Sequence, residues 1–154
     1  MSIFATAVRV NGDEVEITPL GQPNSTLLDD LLSDPRLARY DLEKASRLAP
    51  KDTGGLNIEG LASTPEGHLL IGFRNPVRAG KTLVVPLLNP LEVIEGGKAK
   101  LGAAIELDLQ GLGIRSVKRI VNRYIIIVGA TDSGTTPAPV RVGWPGECES
   151  QRGH

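Results

Sequence analysis

Residues 54–76 read GGLNIEGLASTPEGHLLIGFRNP, and this stretch predicts two β-strands joined by a tight turn. Apolar residues recur at every second position on both sides of a Pro-x-Gly segment; they are Leu56, Ile58, Leu69, Ile71 and Phe73. A period of two is typical of strands that bury one face, and Pro-x-Gly between two such runs is a strong hairpin signal. The rest of the chain is therefore interpreted as β structure organised around this central hairpin.

Four polar residues lie at or near the strand ends of the central hairpin: Asn57, Glu59, Arg74 and Asn75. Strand pairing would bring Glu59 and Arg74 together as an ion pair, and Asn57 would lie on the same side of its strand as Glu59. We interpret the group as a candidate site, with Glu59 as a catalytic carboxylate and Asn57, Arg74 and Asn75 as ligand-binding groups. The oxygens of Asn57 and Glu59 are predicted ligands for a divalent cation such as calcium. The alternative is an ion pair that only fixes the hairpin.

The composition excludes several classes of partner. Of the 154 residues, 40% are hydrophobic and 23% are charged, which indicates a globular chain. A net charge of −1 provides no long-range field to attract nucleic acid or an anionic membrane, so neither is expected as a partner. The single cysteine, Cys148, cannot form an internal disulfide, and the first residues lack the segments of a signal peptide. We therefore expect a cytoplasmic protein.

The chain before the central hairpin predicts a first hairpin and then the main helical segment. Residues 3–18 alternate around Asn11-Gly12-Asp13, which favours a two-residue turn, and Pro19 and Pro23 are expected to bound this hairpin. A short helical segment is predicted near residues 25–40. It has Asn24 or Ser25 as a capping residue, and four leucines recur at helical spacing: Leu27, Leu28, Leu31 and Leu32. Ser33-Asp34-Pro35 predicts a second short helix, because a capping residue is followed by proline at the first helical position.

The chain after the central hairpin predicts further strands. They are expected at residues 81–88, 103–109, 114–121, 124–130 and 140–144. Pro86 has no N–H to donate, so the first of these strands is predicted at a sheet edge or with a bulge. The unbroken apolar run within 124–130 predicts burial on both faces.

Two stretches of the chain resemble each other. Residues 55–73 and 113–130 both read as glycine, strand, turn and apolar strand. Leu70 and Ile126 are 56 residues apart, and Gly55 and Gly113 are 58 apart. Successive antiparallel units of this kind are typical of propeller blades. We therefore predict a mostly β fold with about two antiparallel propeller-type blades, partial or closed by self-association; the alternative is a compact β-sandwich or barrel.

The expected domain organisation follows from this repeat. We expect a single β-rich domain over residues 1–145, or a fragment of a larger propeller, and a disordered tail over residues 146–154. An open piece of two blades would expose apolar faces and unpaired strand edges, which favours association. A homo-oligomer is therefore the expected state.

Three motifs carry a resemblance to a known family: NIEGLA at 57–62, GFRNP at 72–76 and VPLLNP at 85–90. Together they resemble an uncharacterised bacterial family that is known only as a domain of unknown function. They are also similar, more distantly, to propellers of the esterase-like phytase type. The resemblance implies a β-propeller in which the strand holding Glu59 lies near the central channel.

Three functions are compatible with the sequence. The first is a propeller-type module that binds a small ligand or a protein partner at the strand end carrying Asn57, Glu59 and Arg74. The second is a metal-assisted hydrolase of phosphoesters or esters, as the phytase-like resemblance implies, with Glu59 and a divalent cation. The third is a structural subunit that assembles with copies of itself. The sequence leaves open whether the protein is an enzyme.

Overall fold

The computed structural model describes residues 2–131 and the backbone of residues 140–144. The fold is mostly β, as predicted. Its strands are β1 (Ile3–Asn11), β2 (Glu14–Asn24), β3 (Asn57–Ser63), β4 (Leu69–Asn75), β5 (Lys81–Leu87), β6 (Ile105–Asp108), β7 (Gly113–Ile120), β8 (Arg123–Gly129) and β9 (Val140–Trp144). Its helices are α1 (Leu27–Ser33), a 3₁₀ helix (Pro35–Tyr40), α2 (Leu42–Ser46) and α3 (Pro90–Ile94). The tail predicted at residues 146–154 lies outside the described residues.

The strands form three antiparallel sheets, and none of them is closed within the described residues. β1 and β2 form a two-stranded ribbon, which we call the N-terminal ribbon. The central sheet has four strands in the order β3-β4-β5-β6, and the third sheet has the order β7-β8-β9. Each sheet follows chain order; short turns connect β1 to β2, β3 to β4, β4 to β5 and β7 to β8, whereas α3 lies between β5 and β6. Across the described ranges, no helix has the length and apolar character needed to cross a membrane.

The first predicted hairpin is confirmed, but its predicted end is wrong. Asn11 pairs with Glu14, so the turn is Gly12-Asp13, and Gly12 has the positive φ (+62°) that such a turn needs. Pro19 and Pro23 do not bound the hairpin, because β2 continues through both to Asn24. In the described part of the chain β2 has a strand partner on one side only, and an edge strand tolerates residues without an N–H.

The predicted helical segment is confirmed and is longer than expected, because α2 follows it. Leu27, Leu31, Leu37 and Tyr40 are buried. Asp34 caps the 3₁₀ helix: its Oδ1 accepts a hydrogen bond from the Arg36 N–H at 2.9 Å. The sequence interpretation missed α3. This helix begins with Asn89-Pro90, the same combination of a capping residue and a proline that begins the 3₁₀ helix.

Asn24 joins the ribbon to two helices. Its side-chain oxygen accepts hydrogen bonds from the N–H groups of Thr26 and Leu27, both at 3.0 Å, and its amide donates to the Val93 carbonyl at 3.2 Å. Asn24 is only 6% exposed, so its partners cannot turn to water instead. The predicted capping position, Asn24 or Ser25, is wrong because Thr26 is the N-cap of α1; Asn24 binds the N–H groups of Thr26 and Leu27 from two positions before it.

Replacing Asn24 by alanine is expected to lower the free energy of unfolding by about 1.5 kcal/mol, because its hydrogen bonds to the start of α1 and its buried hydrogen bond to Val93 are lost together. Chemical denaturation of the wild type and N24A measures the difference. Ser25→Ala is the matched control, since Ser25 is exposed and should shift stability by less than about 0.5 kcal/mol. Equal effects of the two substitutions would contradict this role of Asn24.

The central sheet is buried on both faces. One face packs against the helices, with Phe73, Val85 and Leu87 among its fully buried residues. The other face packs against the third sheet, where Leu70 and Val84 join a cluster with Ile114, Val117, Ile126 and Val128. Gly60 and Gly72 are paired on this second face, and a Cβ added at Gly60 would lie 2.8 Å from Ile114 Cγ2. The two sheets therefore approach most closely where glycine provides the room.

Two strand predictions need correction. β5 is not an edge strand, because it lies between β4 and β6. β6 pairs with β5 only as far as Val84 and so does not reach Pro86. The Pro86 carbonyl instead accepts a hydrogen bond from the Gly102 N–H at 2.8 Å. The proline is tolerated because β6 has no ladder acceptor opposite its nitrogen. The prediction that β8 is buried on both faces is also wrong. Tyr124, Ile126 and Val128 are buried and the alternate positions are only partly covered, because one face of β8 packs against the central sheet.

Candidate functional site

Three charged residues lie at irregular positions of the strand ladders. Between the pairs Asn57–Asn75 and Ile58–Phe73, β4 has one extra residue, Arg74. Between Ile58–Phe73 and Gly60–Gly72, β3 has one extra residue, Glu59. In the third sheet the register passes from Ile114–Val128 to Ser116–Ile127, so that Arg115 has no partner. Each of these residues is therefore the extra residue of a β-bulge. Bulges redirect side chains out of the regular alternation of a strand and often lie near functional sites.

The three bulged side chains meet at one carboxylate. Glu59 Oε1 lies 3.0 Å from Arg74 Nη1, and Glu59 Oε2 lies 3.5 Å from Arg115 Nη1. The Asn57 amide also donates to Glu59 Oε1, at 3.0 Å. We call Asn57, Glu59, Arg74 and Arg115 the bulge cluster. It is formed by β3, β4 and β7, and so by two different sheets.

The bulge cluster also holds the chain that leaves β8. Arg74 Nε donates to the Ala130 carbonyl at 3.2 Å, and Arg115 Nη2 donates to the same oxygen at 3.3 Å. Beside them, the Asn75 amide donates to the Thr131 carbonyl at 2.7 Å, and Asn75 is 1% exposed. The Asn75–Pro76 peptide bond is cis. These bonds satisfy carbonyl groups at the end of β8 and connect the central and third sheets.

The three charged side chains of the bulge cluster differ in how far they are exposed to solvent. The Arg74 side chain is 6% exposed, whereas those of Glu59 and Arg115 are 27% and 35% exposed. Both guanidinium groups contact the same carboxylate, that of Glu59. The contact between Arg115 and Glu59 is also long for a charge-assisted bond, for which about 2.8 Å is usual. Arg74 is thus the buried arginine of the cluster, held by a short ion pair, and Arg115 is the arginine that solvent can reach.

The structure brings together the residues that the sequence singled out. Asn57, Glu59 and Arg74 are in direct contact, as the hairpin pairing predicted, and Asn75 lies beside them with its amide bonded elsewhere. The sequence interpretation missed Arg115 as a member of this group. The internal repeat contained the signal, because Arg115 follows Glu59 by 56 residues and occupies the same bulge position of the next sheet.

The predicted calcium site stays a prediction, and the geometry of the bulge cluster argues against it. Both carboxylate oxygens of Glu59 already face a guanidinium group, so a divalent cation would bind beside two positive charges. Within the described ranges, no group of three or more histidine, cysteine, aspartate or glutamate residues could hold a metal ion. The arrangement suits an anion better than a cation.

A cavity of about 310 Å³ adjoins the bulge cluster. Asn57 belongs to both, and the rest of the cavity wall is mostly apolar: Leu28, Ser46, Leu48, Pro50, Leu56 and Ile58. The volume is at the lower end of the range for small-molecule sites, and a mostly apolar wall with few polar groups is typical of them. The cavity could hold the apolar part of a ligand near the charged strand ends.

Comparison with known proteins identifies a family for this chain. Residues 11–149 match the family described as "Protein of unknown function (DUF3616)", and this range covers most of the chain. Searches of the curated proteins and of the solved structures find no match.

Proposed function

The chain belongs to the DUF3616 family, and we propose that it is a propeller-type β module that binds a small anionic ligand through Arg115 of the bulge cluster. The ligand would carry a carboxylate or phosphate group. The observation that carries this proposal is the Arg115 side chain, which is 35% exposed and lies 3.5 Å from the Glu59 carboxylate, farther than a usual charge-assisted hydrogen bond.

The propeller part of the proposal is supported by the relation between two sheets. The central sheet is a four-stranded antiparallel meander, and the third sheet repeats its first strands. Both have a bulge at the same position of their first strand, at Glu59 and at Arg115. The sheets pack face to face, and stacked sheets in sequence order are the arrangement of propeller blades.

The ligand part of the proposal is supported by the geometry of Arg115. Its guanidinium donates to the Ala130 carbonyl and makes only a long contact to Glu59 Oε2 at 3.5 Å. A planar guanidinium has five N–H donors, and it recognises carboxylate and phosphate oxygens in pairs. Glu59 and Arg74 would fix the position of Arg115.

We do not extend the proposal to hydrolysis. A metal-assisted hydrolase would need Glu59 as a free carboxylate, and both of its oxygens are engaged by arginines. No observation on the described residues favours the hydrolase over binding.

Replacing Arg115 by glutamine is expected to abolish the binding of anions. The probe is inorganic phosphate, and the readout is the rise in melting temperature that a ligand of the native state produces. We expect phosphate to stabilise the wild type and to leave R115Q unchanged. Arg47→Gln is the matched control, because Arg47 is a 75% exposed arginine on the surface beside Glu43, and its loss should leave the phosphate effect intact.

Two results would contradict the proposal. One is a phosphate effect that survives in R115Q, and the other is an effect lost equally in R47Q, which would indicate general screening of charge.

The same titration with a short-chain fatty acid tests the neighbouring cavity. A larger stabilisation by the fatty acid than by acetate would assign the apolar part of the ligand to that cavity.

A further inference from the structure

A second cavity lies between the first helices and residues 98–101. Its volume is about 430 Å³, which is larger than that of the cavity beside the bulge cluster and within the range of small-molecule sites. It shares no lining residue with the bulge cluster, so a site in it would be separate from the proposed anion site. Five of its lining residues are charged: Asp30, Asp34, Arg36, Lys98 and Lys100.

Hydrogen bonds hold several polar groups of this cavity in fixed positions. Arg36 Nε lies 2.9 Å from Asp34 Oδ1, and Arg36 Nη2 lies 2.6 Å from Asp34 Oδ2. The same Nη2 donates to the Leu101 carbonyl at 2.9 Å. Asp30 Oδ2 accepts a hydrogen bond from the Ala99 N–H, also at 2.9 Å. The helices and residues 98–101 are thus joined at two points, and a wall fixed in this way lowers the entropic cost of binding a ligand.

Two charged groups of the wall remain available to a ligand. Within residues 2–131 neither Asp30 nor Lys98 forms an ion pair, and Asp30 Oδ1 accepts no hydrogen bond. Lys98 is exposed. The pKa of Asp34 is lowered first by its hydrogen bond from Arg36 and, among smaller causes, by the positive charge of Lys98, so the Lys98 ammonium acts on this cavity. The other charged residues of the wall have partners: Asp34 with Arg36, and Lys100 with Glu92.

We propose that this cavity binds a small zwitterion of the α-amino acid type. The ligand's ammonium group would bind Asp30 Oδ1, and its carboxylate would bind Lys98 Nζ. The Nη1 group of Arg36, which donates to no group within the described residues, provides a second donor for that carboxylate. A ligand with a single charge would leave the opposite charge of the wall without a partner, whereas a zwitterion provides a partner for both.

Titration of the ¹⁵N-labelled protein with L-alanine, followed by the NMR signal of the Ala99 amide, tests this site. The Ala99 N–H donates to Asp30 Oδ2, so its chemical shift reports on what binds at the same carboxylate. We expect L-alanine to shift this signal until the site is saturated. Propionate lacks the ammonium group and ethylamine lacks the carboxylate, so each should bind at least about tenfold more weakly, because a charge-assisted hydrogen bond is lost.

Two variants test the residues of the site. Lys98→Gln and Asp30→Asn should each weaken the binding of L-alanine at least about tenfold, for the same reason. Both are expected to fold, because Lys98 is exposed and the Asp30→Asn side chain keeps an oxygen for the Ala99 N–H. The melting temperature of each variant checks this. Lys44→Gln is the matched control, because Lys44 is exposed, has no ion pair in the part of the chain that is described, and lies outside the cavity.

Three results would overturn the proposal. The first is an Ala99 amide that does not respond to L-alanine. The second is a response to propionate as strong as that to L-alanine, which would indicate a site for anions only. The third is a loss of binding in K44Q equal to that in K98Q, which would indicate a general effect of surface charge. None of these results bears on the anion site at Arg115, because the cavity and the bulge cluster have no residue in common.

Discussion

Replacing Glu59 by glutamine is expected to lower the free energy of unfolding by about 3 kcal/mol. The substitution removes the charge of Glu59 from its ion pair with Arg74, whose side chain is 6% exposed. Removing one partner of a buried ion pair costs roughly 3–5 kcal/mol, and the 27% exposure of Glu59 places the expectation at the lower end. Chemical denaturation of E59Q and the wild type measures the difference.

The surface pair of Glu43 and Arg47 provides the control for E59Q. Their side chains are 69% and 75% exposed, so Glu43→Gln should change stability by less than about 0.5 kcal/mol. A double-mutant cycle with Glu59→Met and Arg74→Met then measures the coupling, and the double variant should lose less stability than the two single variants summed. If E59Q is as stable as E43Q, the Glu59 carboxylate does not offset the cost of burying the charge of Arg74.

Replacing Gly113 by alanine is expected to destabilise the fold by about 3 kcal/mol or more. A Cβ at this position would lie 2.0 Å from the Arg74 carbonyl oxygen and 2.9 Å from the Arg74 Cα. Both atoms belong to the backbone, so relief requires the third sheet to move away from the central sheet, and overpacking of this kind typically costs 1–3 kcal/mol or more. The melting temperature and the denaturation midpoint of G113A test the expectation.

Gly129→Ala is the control for G113A, because it adds the same methyl group near the same cluster. Its Cβ would meet only the Arg115 side chain, with the Nε atom at 3.0 Å, and a flexible side chain can move. We expect a loss below about 1 kcal/mol. Equal losses in the two variants would contradict the close contact between the sheets at Gly113.

Much of the fold follows from local sequence signals. The turn at Gly12-Asp13, the central hairpin and the cap at Asp34 each depend on a few adjacent residues whose conformational preferences are strong. The position of β5 within its sheet could not be predicted in this way. Pro86 is tolerated there because β6 ends before it, and that depends on residues some twenty positions further along the chain.

The candidate site shows the same limit. The contact between Glu59 and Arg74 follows from the pairing of two adjacent strands, and it was predicted. The part played by Arg115 depends on the packing of two sheets and on bulges that shift each ladder by one residue. Alternation alone places a strand residue on one of two faces, and a bulge alters this assignment. The 56-residue repeat was the one sequence feature that linked Arg115 to Glu59.

Locating a bound anion in a crystal tests the proposed function most directly. Selenate resembles phosphate in its tetrahedral oxygens, and its selenium atom can be identified by anomalous scattering. We predict a selenium peak beside the Arg115 guanidinium, with selenate oxygens within hydrogen-bond distance of its nitrogens, and no such peak in R115Q. Selenate bound only at exposed lysines, with Arg115 still directed at Glu59 and Ala130, would contradict the anion site.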